Sequence, residues 1–135
     1  MPPRGKVIRM QHVTRQFVRA HPRMKFVFGD NMIGKGYGGQ AASMRGEPNA
    51  IGVPTKWAPE RKESAYFTDY DTKNADVRHA LIAAFNRIEA ALRCGCDVVI
   101  PSDGLGTGLA ELPTRAPEIH RWIEAHIAML ELAGD

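Results

Sequence analysis

Apolar and polar positions follow two different periods along the chain, and the points where the period changes mark its elements. Lys6 to Met10 reads as a first short strand. Thr14 stands as the N-cap of a helix that runs through Ala20 and is stopped by Pro22, with Phe17 and Val18 facing inward. Met24 to Phe28 is a compact apolar run of strand character. Gly38 to Arg45 suits a short helix that opens directly out of glycines and leaves backbone N–H groups unpaired at its start. Ala50 to Val53 reads as a buried strand closed by Pro54. In Asn74 to Arg93, the residues Val77, Leu81, Ala84, Phe85, Ile88, Ala91 and Leu92 recur at three and four along one helical face, and Gly95 supplies the stop. Asp97 to Ile100 is a further strand. Pro117 opens a last helix to about Leu132, with Ile119, Trp122, Ile123, His126, Ile127 and Leu130 inward. Thr55 to Asp71 is long and polar, and a loop of that length in a compact domain is functional or mobile. Trp57 at its start either covers the core or offers a platform to an aromatic ligand. Strands alternating with helices predict one α/β layered domain over residues 1–135 with a mainly parallel sheet.

Two of these strands run into glycine. Phe26 to Gly39 (Phe-Val-Phe-Gly-Asp-Asn-Met-Ile-Gly-Lys-Gly-Tyr-Gly-Gly) and Val98 to Gly108 (Val-Val-Ile-Pro-Ser-Asp-Gly-Leu-Gly-Thr-Gly) share one grammar, an apolar run that ends in a loop whose backbone a ligand can approach closely. In one parallel sheet the two loops share an edge and can close on an anionic ligand from both sides.

Composition narrows the setting. The net charge is only +3, and apart from the loose group Arg15, Arg19, Arg23 and Lys25 the cations are scattered, which argues against a nucleic-acid footprint and for a solvated face. No apolar stretch is long enough to span a bilayer and the N-terminus lacks a signal-peptide core, so a cytoplasmic protein without membrane contact is expected. Cys94 and Cys96 are too close for an ordinary disulfide and read as free buried thiols at a helix end. The five histidines show no ligand spacing, and neither metal nor cofactor is expected.

The first loop fits two phosphate motifs incompletely. Gly29, Gly34 and Lys35 have Walker A spacing, but Gly36 stands where that motif needs a hydroxyl for magnesium. Gly34, Gly36 and Gly39 satisfy Gly-x-Gly-x-x-Gly, yet Thr55 and Lys56 occupy the strand end where a dinucleotide fold needs an acid for the ribose.

A third pattern uses both loops. Phe28-Gly29-Asp30-Asn31, Gly38-Gly39-Gln40-Ala41, Val53-Pro54-Thr55-Lys56 and Ile100-Pro101, followed by Gly104-Leu105-Gly106-Thr107-Gly108-Leu109, resemble the macrodomain family, in particular its divergent small bacterial and phage-type members. The resemblance covers roughly residues 26–56 and 98–109. It implies a macrodomain-like, three-layer α/β/α domain around a mixed, mainly parallel sheet, and it implies ADP-ribose or a related NAD-derived ligand with its diphosphate between the loops. By the same resemblance Asn31 meets the distal ribose, and Gly29, Gly38, Gly39 and Gln40, with Arg45 and Lys56 nearby, form the first half of the site. Gly104, Gly106, Thr107, Gly108 and Leu109 form the second half. Backbone N–H nests bind pyrophosphate without a metal, which agrees with this arrangement.

Hydrolysis at the ribose anomeric carbon requires a base or nucleophile there. Asp30, Lys35, Glu47, Lys56 and Asp103 stand at the loop ends, and Asp30, Lys35 and Asp103 are the catalytic candidates. In hydrolytic macrodomain-like proteins that use a lysine and an acid, the acid follows the second loop, where this chain has Ala110 with Glu111 beside it. Two functions remain open from the sequence. One is an ADP-ribosyl hydrolase of the glycohydrolase type acting on an ADP-ribosylated substrate. The other is a non-catalytic nucleotide-binding, sequestering or interaction protein. The run Arg45-Gly46-Glu47-Pro48-Asn49 is read either as part of the chemistry or as an Arg-Glu ion pair bracing the loop.

Overall fold

A computed structural model describes residues 3–133. Its elements are β1 (Val7–Met10), α1 (Arg15–Ala20), β2 (Lys25–Asn31), α2 (Ala41–Met44), β3 (Ala50–Lys56), α3 (Ala75–Arg93), β4 (Val98–Pro101), α4 (Leu112–Arg115) and α5 (Pro117–Ala133). Two 3₁₀ turns, Glu63–Ala65 and Asp69–Lys73, lie between β3 and α3. The protein is α/β, with strand order β1-β4-β2-β3 and every neighbouring pair parallel. A mixed sheet is the expectation here, and it is corrected: β1–β2, β2–β3 and β3–β4 are each joined through a helix, so no hairpin brings two strands together antiparallel. The antiparallel contact that does occur is an isolated bridge between Lys56 and Tyr66.

Side chains alternate along each strand and fill two cores. Val27, Ile51, Val53, Val98 and Ile100 join the inward faces of α3 and α5 in the larger one. All seven α3 positions named from periodicity are buried. On α5, Ile119, Ile123, Ile127 and Leu130 are buried, while Trp122 and His126 stay partly exposed and stack on each other with centroids 3.7 Å apart. Phe26, Phe28 and Val99 point the other way, against Val18 of α1 and Ala41 and Met44 of α2.

Local chemistry explains the boundaries. The Thr14 side chain accepts a hydrogen bond from Phe17 N and caps α1, and Asn74 does the same for α3 through the N–H groups of Asp76 and Val77. Two strands run further than the apolar pattern. β2 continues through Gly29, Asp30 and Asn31 because β3 pairs with it that far, with a register shift between Asp30 and Asn31. β3 passes through Pro54 rather than ending at it, since β3 is an edge strand and a proline there forfeits no ladder bond. In contrast, α2 is shorter than residues 38–45, because Gly39 takes φ 57°, outside the helical region. Only four residues are helical, too few for a helix dipole to matter.

Buried Asn49 fastens the smaller core. Its Nδ2 donates to the carbonyls of Val18 and His21, both at 3.0 Å, and of Met24 at 3.2 Å, which ties the end of α1 to the start of β2. Trp57 belongs to the core. It meets Phe67 edge-on with centroids 5.4 Å apart, and its Nε1 donates to Asp71 Oδ2. Cys94 is exposed just past α3 and Cys96 is half buried, which corrects the expectation of two buried thiols. No helix among the described residues is long and apolar enough to cross a membrane.

Candidate functional site

β2 and β4 pair only at their starts, Lys25 with Val98 and Phe26 with Val99. Beyond that they diverge. β2 leads to α2 on the smaller-core face, and β4 leads to α4 and α5 on the other, so the gap between their C-terminal ends is a topological switch point, the position where open parallel sheets bind ligands. A cleft of about 250 Å³ lies there, lined from both glycine loops and from the end of β3.

Gln40 spans the gap. Its Oε1 accepts from Gly29 N at 2.8 Å, and its Nε2 donates to Gly104 O at 3.4 Å. One amide therefore replaces the ladder that β2 and β4 have stopped making. Thr55 adds a hydrogen bond from its Oγ1 to Asp30 O. At Gly29 an added Cβ would stand 3.4 to 3.5 Å from Thr55 Oγ1, the Gln40 amide oxygen and Gly106 N, so this strand position sits at the floor of the cleft.

The first loop is organised by Asn31 and Arg45. Asn31 Oδ1 accepts from Ile33 N and Gly34 N, and its Nδ2 donates to Lys35 O at 2.8 Å, an Asx turn that uses the whole side chain. Asn31 thus lines the cleft, but its amide is spent on its own loop, where the resemblance gives it a ribose. Past this turn, Gly38, Gly39 and Gln40 have N–H groups with no acceptor among the described residues. Lys35 also lines the cleft, and its side chain has no partner among the described residues.

The second loop needs glycine at two positions for different reasons. Gly104 (φ 87°) leaves room for Glu124 of α5, and Gly106 (φ 76°) packs against Leu112 and Thr55. Gly106, Gly108 and Leu109 line the cleft, and the Gly108 N–H has no acceptor among the described residues. The Leu109 Cδ1 stands where side chains at Gly38 or Gly39 would meet it, 3.1 and 3.7 Å from their Cβ positions, so the loops touch at this point.

Lys56 ends β3 beside the cleft and is 8% exposed. Its Nζ donates to Glu60 O at 2.7 Å and lies 4.3 Å from the Tyr66 ring centroid, and the Arg115 guanidinium lies 3.8 Å from the same ring. Burial pulls the Lys56 pKa below the ordinary lysine value. Glu111 and Glu60 act against that, while Arg61 and Arg115 add to it.

Several of the expected site residues are held by protein partners or stand outside the cleft. Asp30 lines the cleft, but its Oδ1 accepts from Arg45 and from Asn31 N, so it is a braced carboxylate rather than a free base. Asp103 is exposed and does not line the cleft, because Gly104 turns the chain inward only after it. Gly104 faces α5, and Thr107 points outside the cleft. Arg45 lines the cleft, as expected, and pairs with Asp30, while Glu47 pairs with Arg15 and Arg19, which hold its carboxyl below the usual range. The Arg and Glu of the Arg45-to-Asn49 run are both ion-paired, but with other partners and not with each other. Tyr37 and Pro59 line the cleft without having been singled out. A signal for Tyr37 was available, since an aromatic residue between Gly36 and Gly38 has little core to enter. It is 66% exposed.

A family model described as a family of unknown function (DUF7831) matches residues 8–126. No curated protein and no solved structure gives a significant match.

Proposed function

Because the chain belongs to the DUF7831 family, whose description carries no activity, we propose from its own site that it binds ADP-ribose or a related NAD-derived nucleotide in a macrodomain-like manner. The observation that carries this reading is the meeting of two glycine loops at one switch-point cleft, with unpaired N–H groups on both. Such groups bind a diphosphate without a metal. The Lys56 ammonium adds charge at the cleft wall, and exposed Lys35 adds a second cation at the rim. About 250 Å³ is small for a whole nucleotide, so the diphosphate and one sugar occupy the cleft while the rest extends past Tyr37 and Leu109, both of which expose apolar surface at the mouth.

Binding is favoured over acid–base turnover because Asp30 is the carboxylate among the lining residues, and Arg45 holds it. A second reading, hydrolysis of an ADP-ribosyl linkage, draws on the place of Lys56, a largely buried lysine in the cleft wall whose burial favours the neutral, nucleophilic amine more than exposure would. Isothermal titration with ADP-ribose tests the binding: heat with a stoichiometry near one supports it, and no heat sinks it. Chromatography of the ligand, and of an ADP-ribosylated peptide, after incubation with the protein decides between binding and turnover.

A further inference from the structure

Arg45 lines the cleft, and two of its three guanidinium nitrogens are held by protein acceptors, while the third has none among the described residues. Its Nε donates to Gly36 O at 2.5 Å, and one terminal nitrogen donates to Lys35 O at 3.2 Å and to the Asp30 carboxylate. The side chain is largely buried and lies 5.5 Å from the centroid of the Phe28 ring. In a trans peptide the C=O of one residue and the N–H of the next point in opposite directions. Drawing the carbonyls of Lys35 and Gly36 onto Arg45 therefore turns the N–H groups of Gly36 and Tyr37 away from it. Both residues line the cleft, and neither N–H has an acceptor among the described residues. Gly36 allows this turn with φ 95°.

The brace has a footing outside the cleft. Gly52 of β3 sits beside Phe28 in the ladder, and the Asp30 side chain folds over it. A Cβ at Gly52 would overlap Asp30 Oδ2 and stand 2.9 Å from the Asp30 Cβ. Asp30 can lean toward Arg45 in this way because residue 52 has no side chain.

We propose that Arg45 is a positioning residue and that the chain Gly52–Asp30–Arg45 aims the Gly36 and Tyr37 N–H groups at a phosphate of the bound nucleotide. The phosphate part of this rests on the function proposed above. Gly52 does not line the cleft, so a substitution there is expected to alter ligand affinity without touching the ligand. Arg45→Lys keeps the charge but cannot reach three acceptors in one plane.

The test measures ADP-ribose affinity by calorimetry and records the amide NMR signals of Gly36 and Tyr37 in the free protein. The variants are Arg45→Lys, Asp30→Asn and Gly52→Ala. Asp30→Asn cuts the ion pair without the bulk that strains β3 in Gly52→Ala. Each is expected to weaken binding about tenfold or more and to move both amide signals, and Asp30→Asn with Arg45→Lys is expected to be no worse than the weaker-binding single variant, as coupled residues behave. If Arg45→Lys alone weakens binding while Asp30→Asn and Gly52→Ala stay within twofold, Arg45 touches the ligand and the proposal fails. If the wild-type protein gives no heat with ADP-ribose, the functional reading falls, and the amide signals still decide the brace: moved signals sustain it and unmoved signals overturn it.

Discussion

Replacing Lys56 by methionine removes one charge from the cleft wall and keeps an unbranched apolar stem one atom shorter. With a phosphate oxygen about 4 Å from Nζ and an effective dielectric near 20, the direct attraction has an upper bound of about 4 kcal/mol. The net value is smaller because the ammonium also gives up Glu60 O and solvent, and a charge-assisted hydrogen bond typically contributes about 1.5–3 kcal/mol. Lys56→Met is therefore expected to weaken ADP-ribose roughly 10- to 100-fold by titration calorimetry, with a shallower dependence on salt. Its pH behaviour follows from burial. The folded pKa lies below the unfolded one, so between the two values the unfolded chain holds more protons and stability rises with pH. Lys56 thus costs stability below its folded pKa, and the cost fades as pH climbs toward the unfolded value near 10.4. Affinity for an anion runs in the opposite sense, falling in the wild type as pH passes through the folded pKa and staying flat in Lys56→Met. Equal affinities within twofold for the two proteins at pH 7 would refute the placement of the anion beside Lys56.

Three more outcomes are expected. Gly38→Glu sets a carboxylate among the free N–H groups and against Leu109, and should abolish detectable ADP-ribose binding while circular dichroism shows the fold intact; retained binding would mean that the diphosphate lies elsewhere. Asn49→Ala strands three carbonyls and should destabilise the protein by about 2–3 kcal/mol, a fall in Tm of roughly 8–12 °C at this chain length, read by calorimetry. Asp103→Asn should leave both affinity and any turnover within about twofold, because Asp103 is exposed outside the cleft; a larger loss of either would return it to the site.

The main framework could be read from residues because it depends on period and punctuation. The α3 face follows from spacing alone, and the two loops share an edge because parallel strands must end on the same side. The failures are of another kind. Pro54 looks like a stop unless β3 is known to be an edge strand, and strand order is not written in local pattern. Asp30, Asn31 and Arg45 carry the residue types of a site, but their partners are set by loop geometry, so three groups expected to face a ligand are found bracing one another and the loop. Gln40 was expected to line the site; that its amide would bridge two strands which part company could not be foreseen without the gap. The short α4 escaped because it begins after Glu111 in a left-handed conformation that no apolar period announces.

The strand order also sets a timetable. β2 and β3 are neighbours in the sheet and close in the chain, so they can pair early, with Gln40 and Arg45 between them. β1 must wait for β4, whose residues follow it by roughly 90 positions. At about 5–20 residues per second, a ribosome takes roughly 5–20 s to make that stretch. During synthesis the first glycine loop can therefore fold for some seconds without its counterpart, and the complete cleft is among the last features the nascent chain acquires.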